Sequence, residues 1–274
     1  MRFSVLMPVY HKESADNFDL ALNSILKSQK RPPDEFVLVC DGALTPELDA
    51  VVEQYSSAYP DILKVYRLEE NVGLGQALNY GLTKCTYEYI ARADSDDICL
   101  PERFEKQMGF FEAHPDIAVL GSDIDEFNID PSTPERRKTM PATHEKIVAM
   151  GKFRNPINHM TVAFKKEAVL QAGSYQHLPY AEDYYLWVRM FVEGFQFANL
   201  NEVLVHARVG NGMIGRRGNR QYITSWKILC KYMHAHGLLS AFEHLRNMVS
   251  VRVFVYVPPS LKTFIYKKVL RRKE

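Results

Sequence analysis

The sequence predicts an α/β protein with a mostly parallel sheet flanked by helices. Three observations predict it. Short apolar runs of strand length alternate with stretches of helical periodicity through the first half. The strand runs are continuously apolar, as in strands covered on both faces. The residues that break this pattern fall just past the strand ends, where ligands bind in open α/β sheets.

The elements follow in order. FSVLMPV (3–9) is a buried strand, and 18–26 places Phe18, Leu22, Ile25 and Leu26 at helical spacing. EFVLVCDG (35–42) is a second strand ending in a turn-forming Asp-Gly. Residues 46–59 follow a helical pattern, and LKVYRL (63–68) is a third strand. NVGLGQALNYGLTKC (71–85) opens on glycines and runs into a helix. YEYIARA (87–93) is a fourth strand, and a helix from about Pro101 to Ala113 follows, with Pro at its tolerated starting position. IAVLGSDI (117–124) is a fifth strand. The second half is less regular. Residues 128–141 read as an exposed loop, 159–164 and 196–209 as strands, and 181–194 as a helix closed by Gly194. Two helical segments lie near 219–236 and 239–256.

Composition narrows the function. The chain has 274 residues, 46% hydrophobic and 24% charged, as expected for a globular protein with a sizeable core. Its net charge of +1 does not suggest a nucleic-acid binder. The four cysteines are scattered without a CxxC pair, which points to reduced thiols rather than a zinc site or disulfide framework. No apolar run reaches the roughly 18–20 residues needed to span a bilayer.

Four unusual features fall on one expected sheet edge: Pro8-Val9-Tyr10, Asp41-Gly42, the Asn71/Gly73 turn, and Asp94-Ser95-Asp96-Asp97. The aspartates could be an ordinary polar loop, be neutralised by Arg92, or hold a divalent cation. Ile98-Cys99-Leu100 breaks the alternation of a calcium loop. Mg²⁺ or Mn²⁺ fits better, since such ions take one or two carboxylates and complete their shell with water and substrate phosphates. Glu182-Asp183 at a helix start has a bland alternative, because carboxylates favour helix N-termini.

Taken together, SVLMPVY, VLVCDG, NVGLGQALNYGL, ARADSDD with Pro101 and Arg103-Phe104, NPINHMTVAF and AEDYYLW resemble a family 2 glycosyltransferase with the GT-A fold. The likeness is to the bacterial surface-polysaccharide type, which builds O-antigen, lipopolysaccharide and capsule. It implies a GT-A catalytic domain over 1–215, divided into a nucleotide-sugar-binding half (1–125) and an acceptor-binding half (126–215). Residues 216–274 would form a C-terminal helical, basic, membrane-associating extension.

The resemblance also implies residue roles. Pro8, Val9, Tyr10 and Asp41 would hold the base of a UDP-sugar, with Asn71, Gly73 and Asn79 lining the nucleotide site. The DxD motif maps to Asp94-Ser95-Asp96, with Asp96 as metal ligand, Asp94 on the ribose or a metal-bound water, and Arg92 as partial counter-charge. Asp97 would be a structural cap, and Asp183 matches the general base. His159, Glu182, Arg208, Arg216 and Arg217 are candidates for the acceptor or diphosphate side. The sequence departs from the pattern where Cys40 replaces a second acid before Gly42, and where no basic residue stands near Asn79.

The implied reaction is an inverting, Mn²⁺- or Mg²⁺-dependent transfer of glucose or galactose onto a polyprenyl-diphosphate-linked saccharide. The protein would be cytoplasmic and peripheral on the inner face of the cell membrane, held there by a tail rich in Lys and Arg. A nucleotidyltransferase or a non-catalytic nucleotide-sugar-binding protein are the alternatives. MPVYHKE lacks the glycine the first would want, and both Asp96 and Asp183 are retained against the second.

Overall fold

The continuous apolar runs become the strands at the centre of the sheet. In the computed structural model, which describes residues 1–209 and 220–257, β1 (Phe3–Val9), β2 (Glu35–Cys40), β3 (Leu63–Arg67) and β4 (Tyr89–Arg92) pair in parallel in the order β3-β2-β1-β4. Alternate side chains of these strands enter opposite layers. Val5, Met7, Phe36 and Leu38 pack under α1 (Ala15–Leu26), α2 (Pro46–Ala58) and α4 (Arg103–Ala113). Leu6, Val37, Val39 and Ile90 pack under α3 (Leu74–Lys84) and α7 (Glu182–Val192). α3 lies so close to the sheet that a Cβ on Gly81 would come within 3.0 Å of Val39 and closer still to Leu6.

Past β4 the sheet becomes mixed. β5 (Ile98–Cys99), β6 (Ile117–Phe127), β7 (Arg136–Lys138), β8 (Ala163–Lys165) and β9 (Gln196–Arg208) extend it as β4-β8-β6-β9-β5, with β7 on the side of β6. β8 runs antiparallel to both β4 and β6, whereas β9 runs parallel to β6.

Several sequence expectations shift here. The loop expected over 128–141 contains β7, which pairs with β6 through Arg136–Lys138. The strand expected over 159–164 divides into a 3₁₀ turn, His159–Thr161, and β8. α5 (His144–Gly151), α6 (Lys166–Gln171) and β5 went unread. These pieces are too short to show a period, and tertiary contacts hold them.

Of the C-terminal helices, α8 (Arg220–Ala235) packs on α7, and α9 (Ala241–Tyr256) packs on α8. The Tyr184 and Trp226 rings lie 5.7 Å apart, and Leu229, Cys230, Met233, Met248 and Val251 join the core beneath β1 and β2. α9 starts on a capping box in which Ser240 and Glu243 bond reciprocally.

Candidate active site

Parallel pairing brings the carboxyl ends of β1 to β4 to one edge, and four loops meet there. Pro8 pairs opposite Val39 and is buried, as is Val9. Tyr10 leaves the strand and exposes its ring beside His11.

Asp41, just past β2, is buried and already engaged. Its carboxylate accepts from Val72 N (2.8 Å), Gly73 N (3.1 Å) and Asn71 Nδ2 (3.0 Å). The aspartate therefore shapes the Asn71–Gly73 turn that starts α3. Gly42 is required here on two counts. Its φ is +83°, and a Cβ would stand 2.8 Å from Asn71 N. Any base contact by Asp41 would have to use a lone pair these donors leave.

The run after β4 is built around buried arginine. The fully buried Arg92 pairs with Asp94 through both terminal nitrogens, with Nη1 2.5 Å from Oδ2. Arg103, also buried, donates to the Arg92 carbonyl (2.5 Å), Cys99 Sγ (3.0 Å) and Gln107 Oε1 (3.2 Å). Gln107 in turn donates to the Thr161 carbonyl (2.7 Å), so β4, α4 and the 3₁₀ turn are tied together. The Arg92 charge is largely spent on Asp94. Burial, then Asp94 and Glu13, push the Asp96 carboxyl up to about 7. Burial, then Asp94 and Asp96, raise Asp97 well above the usual carboxylate range.

Oxygen atoms of Asp94, Asp96 and Asp97 lie within 4.8 Å of one another. Three hard oxygen donors, two of them destabilised as anions, fit a hard divalent cation of the Mg²⁺ or Mn²⁺ class. Asp97 also accepts from Arg208 N (2.7 Å), and Arg208 Nε donates to the Asp96 carbonyl (3.2 Å). The end of β9 is thereby fastened to the cluster. Ser95 donates to Glu13 (3.1 Å), which brings a further carboxylate beside Asp96.

Asp183 stands in the first turn of α7, where Asn155 Nδ2 donates to it at 2.6 Å. Asn155 Oδ1 accepts from Ile157 N (3.2 Å), which fixes the amide's orientation. Burial, and then Asp183, raise the Glu182 carboxyl. The buried Tyr175 responds at its hydroxyl to charge from both carboxylate groups. Burial raises its hydroxyl, Arg92 lowers it, and Asp183 and Asp94 raise it again, so one phenol feels both halves of the site. The hydroxyl bonds to His159 Nε2 at 2.9 Å, and the His159 ring lies 6.1 Å from that of Trp187. Burial and Arg92 hold His159 well below its ordinary range, so it is neutral.

Asn79 is engaged within the protein. Both ends of its amide are taken by the Tyr175 backbone, at 2.7 and 2.9 Å. It anchors the 172–181 loop. From the other side, Arg189 donates to the carbonyls of Ala172 and Ser174. Ser174 and Tyr180 in this loop have φ of 54° and 68°, unusual for non-glycine residues. Arg216 and Arg217 lie outside the described residues.

Sequence reasoning missed Tyr175, Asn155, Glu13, Gln107 and Arg189. Each owes its place to a partner distant in the chain; Asn155 opens the NPINHMTVAF motif, but nothing in that segment marks its reach to Asp183.

Residues 4–171 match the sequence profile of Glycosyl transferase family 2. The chain is 44% identical over 223 residues to "Amylovoran biosynthesis glycosyltransferase AmsE" of Erwinia amylovora, covering 81% of this chain and 82% of that one. It is 36% identical over 272 residues to "UDP-Gal:alpha-D-GlcNAc-diphosphoundecaprenol beta-1,3-galactosyltransferase" of Escherichia coli, covering 99% and 97%. Among solved structures, S. aureus TarS (residues 1–349) superposes with a TM-score of 0.69 at 20% identity, covering 98% of this chain and 75% of that one. That likeness supports a GT-A fold.

Proposed function

This chain belongs to glycosyl transferase family 2 and is a glycosyltransferase, and on that premise we propose that it moves a hexose from a UDP-sugar onto a saccharide carried on a polyprenyl diphosphate. The product would be a building block of bacterial surface polysaccharide. The observation that carries the reading is the clustering of Asp94, Asp96 and Asp97 just past β4, inside the stretch that matches the family. The Escherichia coli relative is named for UDP-Gal as donor and a diphosphoundecaprenol-linked GlcNAc as acceptor, and this supports the choice of substrates.

In this reading the carboxyl edge of β1 to β4 binds the donor. The turn shaped by Asp41 and the segment Pro8-Val9-Tyr10 receive the base. Asp96, with Asp94 and Asp97, would hold a divalent cation, which when bound supplies charge stabilisation at the departing diphosphate. Arg92 offsets Asp94 and so lets three carboxylates stand together. Arg208, fastened to the Asp96–Asp97 backbone and carboxylate, lies beside the diphosphate.

Asp183, oriented by Asn155, takes the proton from the acceptor hydroxyl as its oxygen attacks the anomeric carbon. UDP leaves from the opposite face, so one displacement inverts the anomeric configuration. Glu182 and His159 border the acceptor side. A lipid-linked acceptor implies work at the cytoplasmic face of the membrane. No described helix is long and apolar enough to cross it.

The test is a donor screen. The purified protein is incubated with UDP-glucose or UDP-galactose, Mn²⁺ or Mg²⁺, and a synthetic GlcNAc-diphosphate lipid. UDP release and product stereochemistry are measured. Acceptor-dependent UDP release with a β-linked product is expected. An α-linked product, or no acceptor-dependent turnover of any UDP-hexose, would overturn the reading.

A further inference from the structure

We infer that the outward face of α9 is a membrane-docking surface that inserts into the headgroup region of an anionic lipid layer. α9 is apolar on two sides. Its inner side, with Met248, Val251 and Val255, is buried. Its outer side carries Phe242, Leu245, Val249, Val253 and Tyr256, exposed by 75, 62, 51, 56 and 69%. At a helical 100° per residue these five fall in one stripe along the sixteen-residue helix. A contiguous exposed apolar stripe rimmed by polar residues marks an interaction surface, so the stripe calls for an occupant. Phe153, 49% exposed, extends the patch beside Arg246, whose guanidinium lies 5.9 Å from its ring.

The neighbouring helix shows that this is not a general property of the C-terminal region. The exposed side of α8 is mainly polar and basic, with Gln221, Thr224, Lys227 and Lys231, and Ile228 is the large apolar residue exposed there.

Charge selects the occupant. Arg246 and Arg252 border the stripe. The chain beyond α9 carries Lys262, Lys267, Lys268, Arg271, Arg272 and Lys273 against Glu274 alone. A second copy of the chain would set this positive charge against itself. The basic terminal stretch laid on the stripe would do the same. Anionic headgroups neutralise it, while the apolar stripe enters the boundary and the arginine stems reach along it. The area is also suited to lying on a bilayer rather than crossing it, because sixteen helical residues span only about 24 Å.

This deepens the proposed use of a membrane-borne acceptor, but it is measured with neither donor nor acceptor present. The full chain is sedimented with phosphatidylcholine vesicles and with vesicles containing phosphatidylglycerol. Binding to the anionic vesicles is expected, weakening as salt rises. The triple variant L245E/V249E/V253E should partition at least about tenfold more weakly. Because the three positions are exposed, its thermal melt should match that of the wild type. Equal binding of variant and wild type would overturn the inference. So would a wild-type dimer in lipid-free light scattering that the triple variant converts to monomer, which would make a second copy the occupant. A second variant, V249S/V253S, adds no negative charge. It should bind several-fold more weakly, and unchanged binding would show that the glutamates acted by repulsion rather than by loss of insertion.

Discussion

Asp96 and Asp97 sit beside Asp94, whose arginine partner is already committed, whereas Asp183 stands in the first turn of a helix with a neutral amide donating to it. The first group is electrostatically unbalanced: burial and mutual repulsion raise Asp96 to about 7 and hold Asp97 well above the usual carboxylate range. The second accepts a short hydrogen bond from Asn155. A crowded, partly neutralised cluster suits binding of positive charge. A carboxylate oriented by a neutral donor suits acceptance of a proton. The two regions thus differ in the way that a binding site differs from a base, and the Tyr175 hydroxyl feels charge from both.

Removing one carboxylate from each side is the strongest way to break this contrast. Asp183→Ala should lower transfer on the order of 10²- to 10⁴-fold while leaving UDP affinity nearly unchanged. Asp96→Ala should instead weaken cation-dependent UDP binding by at least about tenfold. Calorimetric titration with UDP and Mn²⁺, run beside a UDP-release assay, reads both. Equal loss of binding and transfer in Asp183→Ala would erase the distinction.

A smaller effect should follow from disturbing the counter-charge. Arg92→Met leaves Asp94 without its partner in a cluster already rich in negative charge. The variant should be less stable by about 3 kcal/mol, the lower end for breaking a buried ion pair, since Asp94 itself is partly exposed. Chemical denaturation measures the loss, and added Mn²⁺ should recover part of it. A variant as stable as wild type would remove Arg92 from that role.

The smallest effect concerns the bridge between the two regions. His159 is held neutral, with its folded pKa below the ordinary 6.5. Below pH 6.5 the unfolded chain binds a proton the folded chain refuses, so stability falls as pH drops through and below that value. The slope contributed is at most about 1.4 kcal/mol per pH unit. Above pH 6.5 the group contributes no slope. His159→Asn should flatten the acid limb of a stability-versus-pH curve, and an unaltered limb would argue that His159 titrates normally.

Much of the fold was legible because its signals are local. The continuous apolar runs of β1, β2, β3 and β4, and the helical spacing between them, are properties of neighbours in sequence. β7 and β8, three residues each, carry no such period, and their directions depend on β6 and β4. The site divides in the same manner. Asp94 and Asp96 stand out in sequence because charge is rare at the end of an apolar run, whereas Asp183 is marked by the family resemblance. Asn155, Tyr175 and Glu13 do not, because a polar residue in an irregular segment has no local mark of its partner.

By itself the sequence determined that strands and helices alternate, that charged and glycine residues gather past the strand ends, and that one chain carries an acidic triplet and a separate carboxylate at a helix start. Hydrophobic periodicity and turn chemistry are read over a few residues, so these features needed no fold. Only the tertiary structure decided what each polar group is bound to. It gives Arg92 to Asp94, Asp41 to the Asn71–Gly73 turn, Asn79 to the Tyr175 backbone, and Asn155 to Asp183. It also decided that α9 turns five apolar side chains outward. A hydrogen bond or an exposed face depends on elements distant in the chain, and their meeting follows from the packing of the whole sheet.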